Sequence, residues 1–217
     1  MNKKVGVVLS GCGVYDGAEI HESVLTLLAL AEAGAEAVIA APDKPQAHVI
    51  NHFTGDVMDE ERNVLVESAR IARGNIRPLS ELSGDGIDAL VFPGGFGGAK
   101  NLSSFAFDGA DMTVDPDVER LVTEMRNAGK PIGFICITPA FAAKLIPDLT
   151  MTLGPEGDAP NAARVFGATC LTTAVHETVL DEGKKVATTG AYMFDGVWLD
   201  DVRVGIDKLV GEVLAMA

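Results

Sequence analysis

Cysteine is scarce in this chain: among 217 residues there are three, Cys12, Cys136 and Cys170. They are too few and too scattered for a disulfide scaffold or a C-x-x-C metal site, so reduced thiols are the default. The four histidines, His21, His48, His52 and His176, are also a thin supply. Only His48 and His52 stand four apart, in a stretch without a helical period, and no metal-binding set emerges. Positive charge is in deficit as well, with 17 Lys plus Arg against 31 Asp plus Glu and a formal charge of −14. Such a surface repels phosphate backbones and anionic lipid, which excludes an electrostatic nucleic-acid or membrane binder. No run approaches the roughly 20 apolar residues of a membrane span. Leu9-Ser10-Gly11-Cys12 after Lys3-Lys4 imitates a lipoprotein cleavage box, but only Val5 to Leu9 separate them, short of the roughly 7–15 residues a secretory core needs. A cytosolic address is therefore expected.

What remains is a composition that can fold: 47% hydrophobic and 22% charged residues bury enough apolar surface to offset chain entropy. One compact domain over residues 1–217 fits that length. Val5 to Leu9 is a short β-branched run ended by glycines, as in a strand covered on both faces. Ile20, Val24, Leu27, Leu28 and Ala31 recur at three- and four-residue steps up to Gly34, which predicts a helix over about 19–33. Ala37 to Ala41 is a second strand. Residues 42–78 are less regular, with a hairpin or irregular excursion over His48 to Met58 and a short helix over Asn63 to Arg73. Strands then follow at Ala89–Phe92, Pro131–Ile135 and Val186–Thr189. Between and after them lie helices over Val118–Ala128, Thr138–Leu145 and from about Asp201 onward. This alternation predicts an α/β, doubly wound sheet, mostly parallel, with helices on both faces.

In such a sheet, ligands bind outside the carboxyl ends of the strands near the switch point. Three turns qualify: Ser10 to Gly17, Pro93 to Gly98, and Cys136. A cysteine at a strand-to-helix junction places its sulfur at the sheet rim near a positive helix end, which favours thiolate. The alternative is a buried core cysteine, and Gly133-Phe134-Ile135-Cys136-Ile137-Thr138 is not a full G-x-S-x-G elbow. Pro93-Gly94-Gly95-Phe96-Gly97-Gly98 can present N–H groups to an oxyanion, or be an ordinary turn. Gly11-x-Gly13-x-x-x-Gly17 misses the dinucleotide fingerprint and argues against a nicotinamide cofactor. Glu19 and Glu22 open the first helix, where the dipole alone would favour them; a Glu22 facing Cys136 in a partly desolvated pocket could instead exchange a proton with it. Cys12 lies on a turn beside the same pocket.

Together, Pro93-Gly94-Gly95 running to Lys100-Asn101-Leu102, the strand-ending Cys136 and the helix-borne Glu22 resemble the ThiJ/PfpI superfamily of glutamine-amidotransferase-like proteins. Ser10 to Gly17 with Glu19-Ile20-His21-Glu22, Arg62-Asn63-Val64-Leu65 and Ala191-Tyr192-Met193 resemble one branch more closely, the ElbB-like glyoxalases. The resemblance implies a flavodoxin-like, amidotransferase-like sandwich, usually a homodimer, with a reactive cysteine on an elbow and a glutamate from the first helix beside it, roles that fall to Cys136 and Glu22. It also implies conversion of a small dicarbonyl such as glyoxal to glycolate, an activity sometimes read as protein deglycation, without glutathione, metal or other cofactor. On this reading Gly94, Gly95 and Ile137 hold the oxyanion, and Cys12, Gly13 and Asn101 line the pocket.

Two departures narrow the chemistry. Ile137 stands where hydrolases of the superfamily place His, which argues against a Cys-His peptidase. The adjacent His176-Glu177 cannot form the spaced His-x-Glu pair of glutaminases, because neighbours on a strand point to opposite faces. A stress-response protein whose Cys136 senses oxidants is the competing expectation.

Overall fold

The computed structural model describes residues 2–217. A seven-stranded sheet runs in the order β3-β2-β1-β4-β5-β9-β8, with β1 Lys4–Val8, β2 Glu36–Ala41, β3 Arg77–Pro78, β4 Ala89–Phe92, β5 Ile132–Ile135, β8 Thr178–Asp181 and β9 Val186–Thr189. All neighbours are parallel except β8 and β9. The helices are α1 Ile20–Glu32, α2 Val64–Ile71, α3 Phe96–Lys100, α4 Phe105–Asp108, α5 Pro116–Asn127, α6 Pro139–Leu145, α7 Asp158–Arg164 and α8 Leu199–Met216. A separate two-stranded ladder joins β6 Thr150–Met151 to β7 Thr169–Cys170. The α/β class and mostly parallel sheet expected from the sequence are what is found.

The pleat of the central strands sorts the core into two layers. Val5 and Val7 of β1 face α1 and α8, packing with Leu25, Leu30, Ile206, Leu209 and Val213. Val8, Leu90 and Phe92 lie in the opposite layer with Leu121, Val122 and Met125 of α5 and Phe141 of α6. There Phe92 stacks on Phe134 at 5.1 Å, and Phe141 meets both edge-on, an arrangement aromatic quadrupoles favour. Rigid strands between two packed layers hold their carboxyl ends in fixed positions. Those of β1, β4 and β5 are adjacent at the point where the winding of the sheet reverses, so their loops meet in one crevice.

Residues 42–63 form the excursion that resisted reading from sequence. Antiparallel bridges pair Pro45 with Asn63 and Ile50 with Val57. The segment is strapped to the loop after β1. Asp16 Oδ2 accepts from Ile50 N–H at 2.7 Å, and the Tyr15 and His52 rings stack at 5.0 Å. Asn101 completes the strap: its Oδ1 accepts from Ala47 N–H, and its Nδ2 donates to the carbonyls of Ser10 and Asp16, each at 2.9 Å.

Candidate active site

Cys136 follows β5 directly and has φ +61°, a left-handed conformation that a side chain other than glycine adopts only where the surroundings impose it. Here they do. Its N–H donates to Thr189 O at 2.9 Å. Thr138 Oγ1 accepts from Ile135 N–H and donates to Phe92 O, both at 3.0 Å, pinning the elbow to β4. Pro139 opens α6, where a missing N–H costs nothing.

Glu22 reaches the same point from α1. Glu19 caps the helix by accepting from Glu22 N–H at 2.7 Å, and Glu19 N–H donates to Gly94 O at 2.9 Å, so the helix start is tied to the glycine turn. With its helical spacing to Leu25, Thr26 and Ala29, Glu22 lies on the buried face and has 0% exposure. Both carboxyl oxygens accept backbone bonds, Oε2 from Gly94 N–H at 2.9 Å and Oε1 from Tyr192 N–H at 3.3 Å.

Cysteine and carboxyl sit side by side against Gly94. A Cβ there would come within 2.4 Å of Cys136 Cβ and 2.5 Å of Glu22 Oε2, so only glycine lets the two approach. Gly95, at φ +95°, is equally constrained, since a Cβ would lie 2.3 Å from Glu19 N and 2.4 Å from Gly17 O. Gly95→Ala is therefore expected to displace the start of α1 and destabilise the protein by about 1–3 kcal/mol or more. A drop in urea midpoint would accompany loss of Cys136 reactivity; an unchanged midpoint would show that the turn can relax.

The electrostatics differ from those expected of an ionised thiol at the rim. Cys136 is 7% exposed, and burial pushes its thiol well above the ordinary value, followed by the negative charge of Glu22, against the pull of the Gly95 and Ile137 N–H groups. Burial, then the charge of Glu19, push Glu22 up to about 8, opposed by the N–H groups of Tyr192 and Gly94 and by Cys136. At neutral pH the pair thus holds its protons. The helix dipole loses to desolvation because neither group is in contact with enough water to keep a charge. Loss of one proton near pH 8 leaves a single negative charge belonging to the pair, with the carboxylate placed to take the thiol proton.

A cavity of about 210 Å³ opens onto Cys136, lined by Val14, Glu19, Gly95, Phe96, Cys136, Ile137, Tyr192 and Met193, with the fully buried Glu22 behind the cysteine and outside the lining. Gly95 and Ile137 aim their N–H groups at the sulfur, where an oxygen added beside it would also meet them. Gly94 is placed differently from expectation, because its N–H is committed to Glu22. Cys12, Gly13 and Asn101 do not line this cavity. The Asn101 side chain is turned away by its three bonds in the strap, Gly13 packs under His52, and Cys12 lies close enough to Glu67 and Arg70 of α2 to feel their charges. Tyr192, Phe96 and Thr138 have no role expected from the sequence; a threonine two after the cysteine, just before Pro139 at a helix start, is the readable cue for Thr138. His176 and Glu177 are exposed, and Glu177 caps Ala174 N–H, away from the cysteine.

No protein-family profile matches the chain, but individual relatives do. It is 47% identical over 223 residues to the rat ES1 protein homolog, mitochondrial, covering 98% of this chain and 84% of the relative. The human glutamine amidotransferase-like class 1 domain-containing protein 3, mitochondrial, is also 47% identical, with 98% and 83% covered. The chain belongs to the ThiJ/PfpI superfamily of glutamine-amidotransferase-like proteins. A crystal structure of an isoprenoid biosynthesis protein with amidotransferase-like domain from Ehrlichia chaffeensis superposes on this ThiJ/PfpI chain with TM-score 0.91 at 34% identity, covering 99% and 100% of the two chains. Drosophila melanogaster DJ-1beta shares the fold at TM-score 0.61 and 18% identity, with 100% and 96% covered. The cytosolic expectation is corrected by these relatives, since those from rat, human and zebrafish are all named mitochondrial. It had rested on the absence of a secretory core and a membrane span, which does not distinguish the cytosol from an organelle interior.

Proposed function

We propose that this ThiJ/PfpI protein is a cofactor-independent glyoxalase that converts a small dicarbonyl to the hydroxy acid, with Cys136 as nucleophile and Glu22 as proton carrier. The observation that supports this reading is the Glu22 carboxyl, buried and raised to about 8, set against the cysteine on a shared glycine. As Sγ bonds to one aldehyde carbon of glyoxal, the thiol proton passes to the Glu22 carboxylate and from it to the new alkoxide, giving a hemithioacetal near the Gly95 and Ile137 N–H groups and leaving Glu22 ionised again. Glu22 then removes the C–H proton of that carbon, and its electron pair forms the carbon–carbon double bond of an enediolate as the π pair of the second carbonyl moves onto its oxygen. Glu22 returns that proton to the second carbon while the hydroxyl proton on the first carbon passes to the second oxygen, leaving a thioester and a primary alcohol. One carbon is oxidised and its neighbour reduced, so no external electron acceptor is needed. Water cleaves the thioester, releasing glycolate and restoring the thiol.

Saturable conversion of glyoxal to glycolate, followed by NMR in metal-free and thiol-free buffer and absent from Cys136→Ser, is the expected result. A linear, unsaturable rate equal to that of a free thiol would overturn the reading. Oxidant sensing is less well supported, because peroxide reacts with exposed thiolates and this thiol is buried and raised in pKa. The homodimer implied by resemblance would have the exposed stripe Ile20, Val24 and Leu28 of α1 to bury.

A further inference from the structure

Glyoxal does not fill the space beside Cys136. A water takes about 30 Å³ of liquid volume, so a cavity of about 210 Å³ has several times the room that a molecule of two carbons and two oxygens requires. A second depression adjoins it across one side chain. Phe96, 47% exposed, lines both this cavity and a second depression of about 220 Å³ formed with Tyr15, Ile50, Gly55 and Lys100. Val14 and Tyr15, neighbours in the chain, line one cavity each. A substrate held at Cys136 can thus extend past the Phe96 ring.

The second depression contains a cation that makes no ion pair among the described residues. Lys100 Nζ donates to Tyr15 O at 2.9 Å and lies 5.3 Å from the centre of the Phe96 ring. An ammonium has three hydrogens to donate, and that carbonyl is its one acceptor here. Asp16 acts on Lys100 electrostatically, but it accepts from Ile50 N–H and makes no ion pair with the lysine among the described residues. In a chain with 31 acidic and 17 basic side chains, a lysine without a carboxylate partner beside the reactive cavity is a locally attractive point in a repulsive field.

We propose that Lys100 is a specificity residue: the carbonyl substrate carries an anionic arm, a carboxylate or phosphate, that passes Phe96 and is met by the Lys100 ammonium while the aldehyde carbon lies at Cys136. This deepens the glyoxalase reading and rests on it for the reacting end, but the recognition can be tested without turnover. Succinic semialdehyde and glyceraldehyde 3-phosphate supply the two kinds of anion on an aldehyde; butanal and glyceraldehyde are their neutral counterparts. None has a second carbonyl next to the aldehyde, so their binding reports on recognition whether or not glyoxal is converted.

Titration calorimetry on the parent protein is expected to give a Kd about tenfold lower for at least one charged probe than for its neutral counterpart, as befits a charge-assisted contact. The anion that shows the preference identifies the arm as carboxylate or phosphate. That preference should shrink in 0.5 M salt and disappear in Lys100→Met, while Lys100→Arg retains most of it. A purely structural Lys100, pinning the Tyr15 carbonyl, would instead shift charged and neutral probes together. Equal affinities for each charged and neutral pair, no binding of either charged probe, or a preference that survives in Lys100→Met would overturn the proposal. If Lys100→Met does not fold, the charge preference and its salt dependence in the parent decide the matter alone. A charge preference without glyoxal turnover would leave the anion site standing and remove the glyoxalase reading; turnover without the preference would do the reverse.

Discussion

Glu22→Gln is expected to lower kcat for glyoxal by about 10²–10⁴-fold, the range a positioned general base supplies, and to change the shape of the pH profile. In the parent, the carboxyl must be ionised to accept the thiol proton, and it ionises at about 8. The rate should therefore climb with pH, about tenfold per unit well below that point, and level off above it. Gln cannot ionise, so its residual rate should lack the inflection near 8 and rise only where the thiol ionises unaided, which burial places well above the ordinary cysteine range. Initial rates from pH 6 to 10 on parent and variant, with circular dichroism to confirm folding, check both statements. A parent rate independent of pH across this range would show that the pair does not exchange its proton as described. A variant with the parent's kcat would remove Glu22 from the chemistry.

The features of the fold and site that are legible in the sequence are those that local pattern controls. Val5 to Leu9, Ala89–Phe92 and Pro131–Ile135 are continuous apolar runs because both faces of their strands are covered, and Gly34 and Gly129 end helices at φ +70° and +62°. Cys136 at the end of a strand and Glu22 in the first turn of a helix could be placed at the same rim from topology alone. What could not be read is anything set by contacts across long separations. Asn101 stands next to a glycine-rich turn, yet its amide bonds Ser10, Asp16 and Ala47, so it holds a wall of the crevice instead of facing into it. Tyr192, 170 positions from Glu22, touches that carboxyl through a backbone N–H, which no side-chain pattern announces. The charge state of Cys136 was misjudged for the same reason: a dipole is visible at a strand-helix junction, but desolvation comes from the packing of α1, β4 and the segment around Tyr192 together.

Stability should carry the mark of the same carboxyl, and with the opposite pH dependence from that of the rate. The unfolded chain releases the Glu22 proton near 4.5, whereas the folded protein keeps it to about 8. Between these values the native state binds more protons than the unfolded state, so raising the pH favours unfolding. The stabilising contribution is complete below 4.5 and gone above 8, a loss of about 5 kcal/mol at most when the whole shift is converted at ~1.36 kcal/mol per unit. Glu22→Gln removes that dependence but leaves one of the Gly94 and Tyr192 N–H groups without an oxygen acceptor, a cost of about 1–3 kcal/mol at any pH. The two stability curves are therefore expected to cross: the variant is the less stable protein at pH 5 and the more stable one at pH 8.5. Urea unfolding of both at those pH values measures the crossing directly, and the difference between them cancels the titration of the histidines and surface carboxylates they share. A parent whose advantage over the variant stays constant from pH 5 to 8.5 would mean that Glu22 titrates like an ordinary exposed carboxylate, and the proton shuttle would lose its physical basis. A crossing, by contrast, shows why an acid is kept in the core at all, since the neutral carboxyl that steadies the fold in mild acid is the one whose ionisation, made costly by burial, supplies a strong base beside the sulfur.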